Sequence, residues 1–318
     1  RGRGGIAMPN LTSPHWPFMI DVYFFLVGVA GGAFMAAGAA DIFGNTKDRV
    51  VTKVGSWLAL LALIPGPILL ILDLGMPSRF LNMLLVSNVN RNIGLSAITI
   101  GPLHIKPYSP MNLGAWALLG FGICAAGVVA TLYLEDSGRT GGMAPLRGAF
   151  GAIGVLLGFF VAGYPGQLLA VTAQPFWTDA RPLGALFMAV GAGTGLAAIA
   201  LVLSVQGPEV SSSLAKVRRA YTFCVILEAL ALVAVLWAVS SGPAWSADRI
   251  WMLLAGRYSP VFWIGAVVAG VLAPLVLEYL DGFFQGYRQG PGRVVLTSAL
   301  ILVGGFLMKY VIFAVGQA

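Results

Sequence analysis

The chain has 318 residues, 58% of them hydrophobic and only 10% charged, with a formal net charge of +7 and a mean hydropathy of +0.87. Soluble domains carry roughly 25% charged residues, so this composition excludes an ordinary soluble protein and points to an integral membrane one. The positive charge would suggest nucleic acid in a soluble chain. Here the basic residues sit in short stretches between apolar runs, where membrane topology accounts for them and no nucleic-acid partner is expected.

The first apolar run follows Ser13-Pro14-His15-Trp16 and reaches about residue 41. That is long enough to cross a bilayer, which takes roughly 20 residues at 1.5 Å rise each. It carries His15, one of two histidines in the chain, at its polar entry, and Asp21 a little deeper. Both are costly at a membrane boundary unless something uses or pairs them. Gly28, Gly31, Gly32, Ala33, Ala36, Ala37 and Gly38 suit close helix approach in lipid. Further spanning runs follow at 53–74, 112–134, 147–172, 182–205, 218–240, 260–281 and 294–316. Open sheet edges cannot face hydrocarbon and no long period-2 pattern occurs, so the expected fold is all-α with eight transmembrane helices. Two four-helix bundles are expected, 1–172 and 173–318. Tyr108-Ser109-Pro110 before the third run is echoed by Tyr258-Ser259-Pro260 before the seventh, as in parallel repeats.

Pro65 and Pro67 should kink the second helix, Pro165 the fourth and Pro274 the seventh. Two connections are long. In 75–111, residues 80–86 read as a short interfacial helix; 241–259 carries Trp245, Trp251 and Tyr258, suited to an interface belt. Eight spans put both termini on one side. With the long connection set aside, Lys and Arg gather on the other, at Lys47, Arg49, Lys53, Arg139, Arg147, Lys216, Arg218, Arg219, Arg288 and Arg293, while Lys309 counts with the termini. That places the termini outside, in the periplasm of a prokaryotic inner membrane. Residues 1–12 show no signal-peptide pattern, and the absence of a first methionine suggests an upstream start.

Absences decide a good deal. Haem held from both faces needs paired helical histidines, whereas His15 and His104 both lie outside helix interiors. Cys124 and Cys224 are each alone in a helix, so no iron–sulfur cluster is expected in this chain. Electron transfer would then need a partner carrying the metal centres and a lipid-soluble carrier as substrate. A quinone needs hydrogen bonds to two carbonyl oxygens and a proton source or sink. His15 could donate and titrates in the useful range; Tyr164, inside Gly163-Tyr164-Pro165-Gly166-Gln167, could be a second donor held by a kinked helix. Asp73 and Arg79 flank the turn at Gly75-Met76-Pro77 and would form an ion pair from which protons pass. Each has a plainer reading: His15 among headgroups, Tyr164 as packing, Asp73–Arg79 as a loop-fixing pair. Glu228 lies deepest of the remaining acids and needs a partner, either as a proton path or as helix–helix glue.

Four stretches carry a resemblance: His15-Trp16 with Tyr23 to Phe34, Asp73 to Met83, Ser109 to Trp116, and Tyr164-Pro165-Gly166-Gln167-Leu168 with Pro175-Phe176-Trp177. Together they resemble the NrfD/PsrC-like membrane subunits of polysulfide reductase and related molybdenum-enzyme complexes. The resemblance implies an eight-helix quinone-reactive anchor without haem or cluster, binding menaquinone or ubiquinone in the first bundle. It also implies an iron–sulfur partner subunit connected to a catalytic molybdopterin subunit. The family's quinone-contacting histidine and tyrosine map onto His15 and Tyr164, with Asn112 and Trp116 completing the pocket. Where the family often has Tyr-Thr-Gly, this chain has Tyr164-Pro165-Gly166, which alters the local backbone. Two other classes stay open: a secondary transporter, which would place polar groups at the midplane of broken helices, and a bare anchor without a quinone site.

Overall fold

The computed structural model describes residues 16–85, 98–100, 103–138, 142–172, 174–283 and 291–318. Eight helices among them are long and apolar enough to cross a membrane. α1 (Phe18–Phe43) is followed by α2 (Arg49–Leu63) and α3 (Pro65–Asp73), which together make the second span. The break between them falls at Ile64, because Pro65 and Pro67 lack the N–H groups a continuous helix would use. Then come a 3₁₀ turn (Pro77–Met83), strands β1 (Ile98–Ile100) and β2 (Leu103–Ile105), α4 (Pro110–Asp136) and α5 (Ala144–Ala170). The short α6 (Pro175–Asp179) precedes α7 (Leu183–Leu203) and α8 (Ser211–Ser240), and α9 (Ala244–Leu254) lies within the second long connection. A π-helix (Val261–Leu272) runs into α10 (Ala273–Phe283), and α11 (Pro291–Gln317) completes the chain.

Most expected boundaries agree to within a few residues. The sixth span starts earlier, at the 3₁₀ turn Pro208–Val210. The seventh meets Pro274 by a change of helix type: Ala273 N–H still bonds Val268 carbonyl, five residues back, and α-helix follows. The register change therefore coincides with the residue that has no N–H to give. The strand pair is a feature the helical reading did not include; Thr99 pairs with His104 in its antiparallel register. Of the interfacial helix expected over 80–86, residues 80–83 belong to the 3₁₀ turn begun at Pro77, Leu85 forms a bridge to Leu103, and Val86 lies outside the described residues.

α1 and α7 are the most enclosed spans. α1 packs on α2, α5 and α7, and α7 also packs on α5, α8 and α11. Their approach rests on two opposed glycine pairs, Gly28 and Gly32 on α1 against Gly191 and Gly195 on α7. A Cβ on Gly32 would stand 2.9 Å from Ala192 Cα, and one on Gly195 would stand 2.7 Å from Gly32 Cα. Only glycine lets these backbones meet, the small-xxx-small geometry that lipid-embedded helices use where no hydrophobic drive separates protein from solvent.

The outward faces are apolar. Trp57, Leu61, Ile64, Ile68 and Leu72 form one exposed stripe along α2 and α3, and Phe223, Ile226, Leu230, Val233 and Trp237 form another on α8. Such stripes would drive aggregation in water and are the ordinary surface of a helix in hydrocarbon. At the end opposite the termini the helices are laced by charge. Arg147 Nε meets both oxygens of Asp41 at 3.1 Å, and its Nη1 also bonds Glu135. Arg49 pairs with Glu135 at 2.8 Å and Lys53 with Asp136 at 2.7 Å. Lys216 pairs with Asp48, and Arg218 with Glu278 at 2.9 Å.

Candidate functional site

The terminal-side ends of the first spans hold the residues singled out from the sequence, and the structure divides them into two groups. Asn112 and Trp116 fasten the long connection. Ser109 caps α4, its Oγ accepting from Asn112 N–H at 3.4 Å. Asn112 Oδ1 accepts from Lys106 N–H at 2.7 Å, and its Nδ2 donates to the carbonyls of Met83 and His104. Trp116 Nε1–H donates to the same His104 carbonyl at 3.1 Å. His104 N–H in turn donates to Leu84 carbonyl at 2.9 Å. One amide side chain thus satisfies three backbone groups, which is why Asn, with an acceptor and two donors, suits the position.

Tyr164 belongs to the other group. It lies on α5 directly before Pro165, is 8% exposed, and donates its hydroxyl to Pro110 carbonyl at 2.7 Å. Its ring crosses α4 at Gly114, where any Cβ would collide with it. Phe160 stacks on it at 5.5 Å. At 100° per residue, Pro110 and Gly114 share one face of α4 while Asn112 points to nearly the opposite one. Tyr164 and the Asn112–Trp116 pair therefore flank α4 from two sides. Tyr23, 5% exposed on α1, is within electrostatic reach of Tyr164, so two phenols rather than one sit in this interior.

His15 lies outside the described residues. Its neighbour Trp16 is held: its N–H donates to Gln317 Oε1 at 2.6 Å, and its ring meets Trp177 at 5.9 Å and Phe313 at 6.0 Å. Trp177 Nε1–H donates to Ile312 carbonyl at 3.0 Å. Asp73 and Arg79 are both exposed, and no ion pair joins them among the described residues. The expected pair is thus two rim charges on either side of the turn.

Two groups matter that the sequence reading did not place in a site. His104 is 4% exposed, and neither ring nitrogen has a hydrogen-bond partner among the described residues. A buried unsatisfied polar group costs about 1–3 kcal/mol, so a bonding partner for this imidazole is expected. Its signal was the alternation Leu103-His104-Ile105, too short to separate from a loop. Lys309 was assigned to the terminal-side boundary; it is fully buried in the interior of α11, and its Nζ donates to Phe24 carbonyl at 2.9 Å. Among the described residues no cluster of His, Cys, Asp or Glu is arranged to hold a metal ion.

A bundle of eight lipid-crossing helices, with its ionic lacing at one end and a stapled cap at the other, defines a multi-pass membrane protein. The family described as "Polysulphide reductase, NrfD" matches residues 7–318, and the chain belongs to it. A chain of the polysulfide reductase of Wolinella succinogenes is 27% identical over 328 residues, covering 99% of this chain and 97% of that protein. The "Protein NrfD homolog" of Haemophilus influenzae is 23% identical over 317 residues, covering 97% and 95%. A subunit of the selenate reductase of Mesobacillus selenatarsenatis is 28% identical over 87 residues, covering 27% and 20%.

Proposed function

We propose that this chain is the membrane subunit of a reductase-type complex and exchanges electrons and protons between membrane quinone and a partner's iron–sulfur cluster. The catalytic partner is of the molybdopterin type, the carrier is menaquinone or ubiquinone, and the membrane is a prokaryotic inner membrane with both termini outside. Family membership supports the setting, since relatives bear the names of components of polysulfide and selenate reductases. Removing Lys309 from the terminal-side count of cations, now that it lies inside the bundle, strengthens the charge asymmetry behind the orientation.

The observation that carries the quinone reading is the His104 imidazole, buried and, among the described residues, unbonded at both nitrogens, on the residue whose carbonyl the Asn112–Trp116 staple holds. A quinone brings carbonyl oxygens that accept from an N–H or O–H, and when bound supplies two-electron, two-proton exchange. In the first four-helix unit (1–172), to which we assign the site, His104 and His15 offer ring N–H groups, and the Tyr164 hydroxyl, across α4 from the Asn112–Trp116 staple, offers a phenolic donor. Asn112 and Trp116 hold the cap that keeps water away, while Asp73 at the exposed rim receives and releases protons, with Arg79 nearby as a fixed positive charge. Tyr164 can transfer its hydrogen bond from Pro110 carbonyl to a ligand oxygen without leaving its place on α5.

The test uses the intact complex in proteoliposomes. His15→Ala, His104→Leu and Tyr164→Phe should each lower quinone-coupled turnover by about tenfold or more, the scale of a lost acid–base group. Turnover with a soluble dye that reduces or oxidises the partner directly should be unchanged. Unaltered quinone-coupled rates in all three would reduce the chain to a bare anchor. Purification of the chain alone as a competent substrate carrier would make it a transporter.

A further inference from the structure

Three ionisable side chains from three helices lie buried inside the bundle, away from the site just described, with one lysine in electrostatic reach of two carboxylates. Asp21 on α1, Lys309 on α11 and Glu228 on α8 are 0%, 0% and 2% exposed. Lys309 acts electrostatically on both carboxylates, yet its Nζ bonds Phe24 carbonyl and forms an ion pair with neither. Both oxygens of Asp21 and Oε1 of Glu228 lack hydrogen-bond partners among the described residues. Gly28 makes room for the ammonium, since a Cβ there would collide with Nζ. The neighbouring faces add little charge. α7 contributes Thr194, whose hydroxyl bonds its own helix at Val190 and Gly191; the ring of Phe187 lies 5.2 Å from Nζ; α8 adds the Cys224 thiol beside Glu228; the π-helix has no titratable residue.

The three stand at graded depths. Asp21 is three residues from the start of α1, Lys309 eight from the end of α11 and Glu228 twelve from the end of α8. At 1.5 Å per residue these are about 5, 12 and 18 Å in from the terminal-side helix ends. Fully ionised, the group would carry one net negative charge in a low-dielectric interior, which is expensive; one added proton makes it neutral. A single lysine between two carboxylates also has no unique partner.

We propose that Asp21, Lys309 and Glu228 form a one-proton exchange site, in which Lys309 pairs with one carboxylate while the other holds the proton. In the inward hand-off an Nζ–H bond of Lys309 breaks as the Glu228 O–H bond forms. The Asp21 O–H bond then breaks and restores Nζ–H, so charge and protons balance and no electron moves. The site takes protons from the terminal-side face and delivers them near the midplane. Seven residues beyond Glu228, on the same face of α8, the Tyr221 hydroxyl donates to Glu278, which Arg218 pairs, so the opposite end is also polar.

The experiment is infrared spectroscopy of the full chain in lipid nanodiscs at neutral pH. Wild type should show a protonated-carboxyl C=O band that shifts on transfer to D₂O. Glu228→Gln or Asp21→Asn should remove or displace that band, and Glu228→Asp should restore it. Lys309→Met should leave a protonated carboxyl that no longer exchanges in the time the wild-type band takes to shift. A thermal unfolding curve for each variant separates exchange from loss of fold. Absence of the band in wild type, or its indifference to both carboxylate substitutions, would overturn the proposal and leave fixed charges that bind helices together. Tyr164→Phe should leave the band in place, so a failed quinone reading and a failed exchange site give different results.

Discussion

Placing a methyl at the α1–α7 crossing tests the packing on which every other position depends. In Gly32→Ala the new Cβ meets the Gly191 carbonyl group, with its carbon at 2.8 Å, and Ala192 Cα at 2.9 Å. Ordinary contact begins near 3.5 Å. All these atoms are backbone in the middle of a helix, so no side chain can rotate away and the axes must part. Overpacking by one methyl typically costs 1–3 kcal/mol; with no flexible neighbour we expect about 3. Gly195→Ala meets α1 from the other side, with Gly32 Cα at 2.7 Å, and should cost about the same. The separation that admits one methyl admits most of the second, so the double variant should lose about 4 kcal/mol rather than 6, a coupling of about 2 kcal/mol. The assay is equilibrium unfolding of detergent-solubilised protein with SDS, followed by the fluorescence of its eight tryptophans. Gly151→Ala on α5, with nothing within 4 Å, is the control and should be neutral or stabilising by up to about 1 kcal/mol from helix propensity. Single variants as mild as the control, or strict additivity in the double, would show that the helices do not meet through these glycines.

Asn112→Ala removes the bonds to Lys106 N–H and to the carbonyls of Met83 and His104. It should loosen the cap by about 1–3 kcal/mol, read as faster protease cleavage between residues 77 and 109 with the spans left intact. Arg147→Met leaves Asp41 and Glu135 without their shared cation, at 20% and 14% side-chain exposure. Because the three are partly buried, the loss should be about 2 kcal/mol, towards the lower end for a broken buried pair, measured in the same SDS titration. Trp177→Phe removes the Nε1–H bond to Ile312 carbonyl and the indole that holds Trp16; it should speed hydrogen exchange at the Trp16 amide while leaving α7 protected.

What the sequence revealed and what it hid follow from which force sets each feature. The eight spans were legible because hydrocarbon demands about 20 apolar residues per crossing and internal satisfaction of every backbone group. That demand is local and one-dimensional. The break at Pro65 and the turn at Pro77 were legible for a similar reason, a missing N–H that no neighbour can restore. The pairing of residues across helices was not. Asn112, Trp116 and Tyr164 stood close in motif logic, but whether an α4 residue faces the cap or α5 depends on 100° steps around an axis whose orientation tertiary packing sets. Asp73 and Arg79, six residues apart, suggested a pair; Asp73 ends α3 and Arg79 sits in the following 3₁₀ turn, and both stay at the rim, exposed to water where an ion pair gains little. Lys309 was misplaced because its neighbours Met308, Tyr310 and Val311 say only that it lies within an apolar run, not which of its helix's faces meets Asp21 and Glu228.

Those two kinds of legibility correspond to two ends of the molecule. At the end opposite the termini, Arg49, Lys53, Arg147, Lys216 and Arg218 each have a carboxylate partner across a helix boundary, so the helix ends there are fixed relative to one another. At the terminal-side end the long connection is held largely by hydrogen bonds from α4, and exposed Met76, Phe80, Leu81 and Leu103 lie beside the charges of Asp73 and Arg79. Among the described residues, buried polar groups with no bonding partner occur at His104 within the cap and, between the ends, at Asp21 and Glu228. Buried polar groups in lipid carry a cost that no water can offset, and a bundle able to fill its core with Leu, Val and Phe elsewhere had apolar alternatives at these positions. A rigid ionic base, a separately stapled cap and uncompensated protonatable groups between them are what a protein needs if it is to hold still on one side and trade protons with a ligand or a neighbour on the other. The cost concentrated at His104 and at the Asp21–Lys309–Glu228 group is therefore where function is to be sought first.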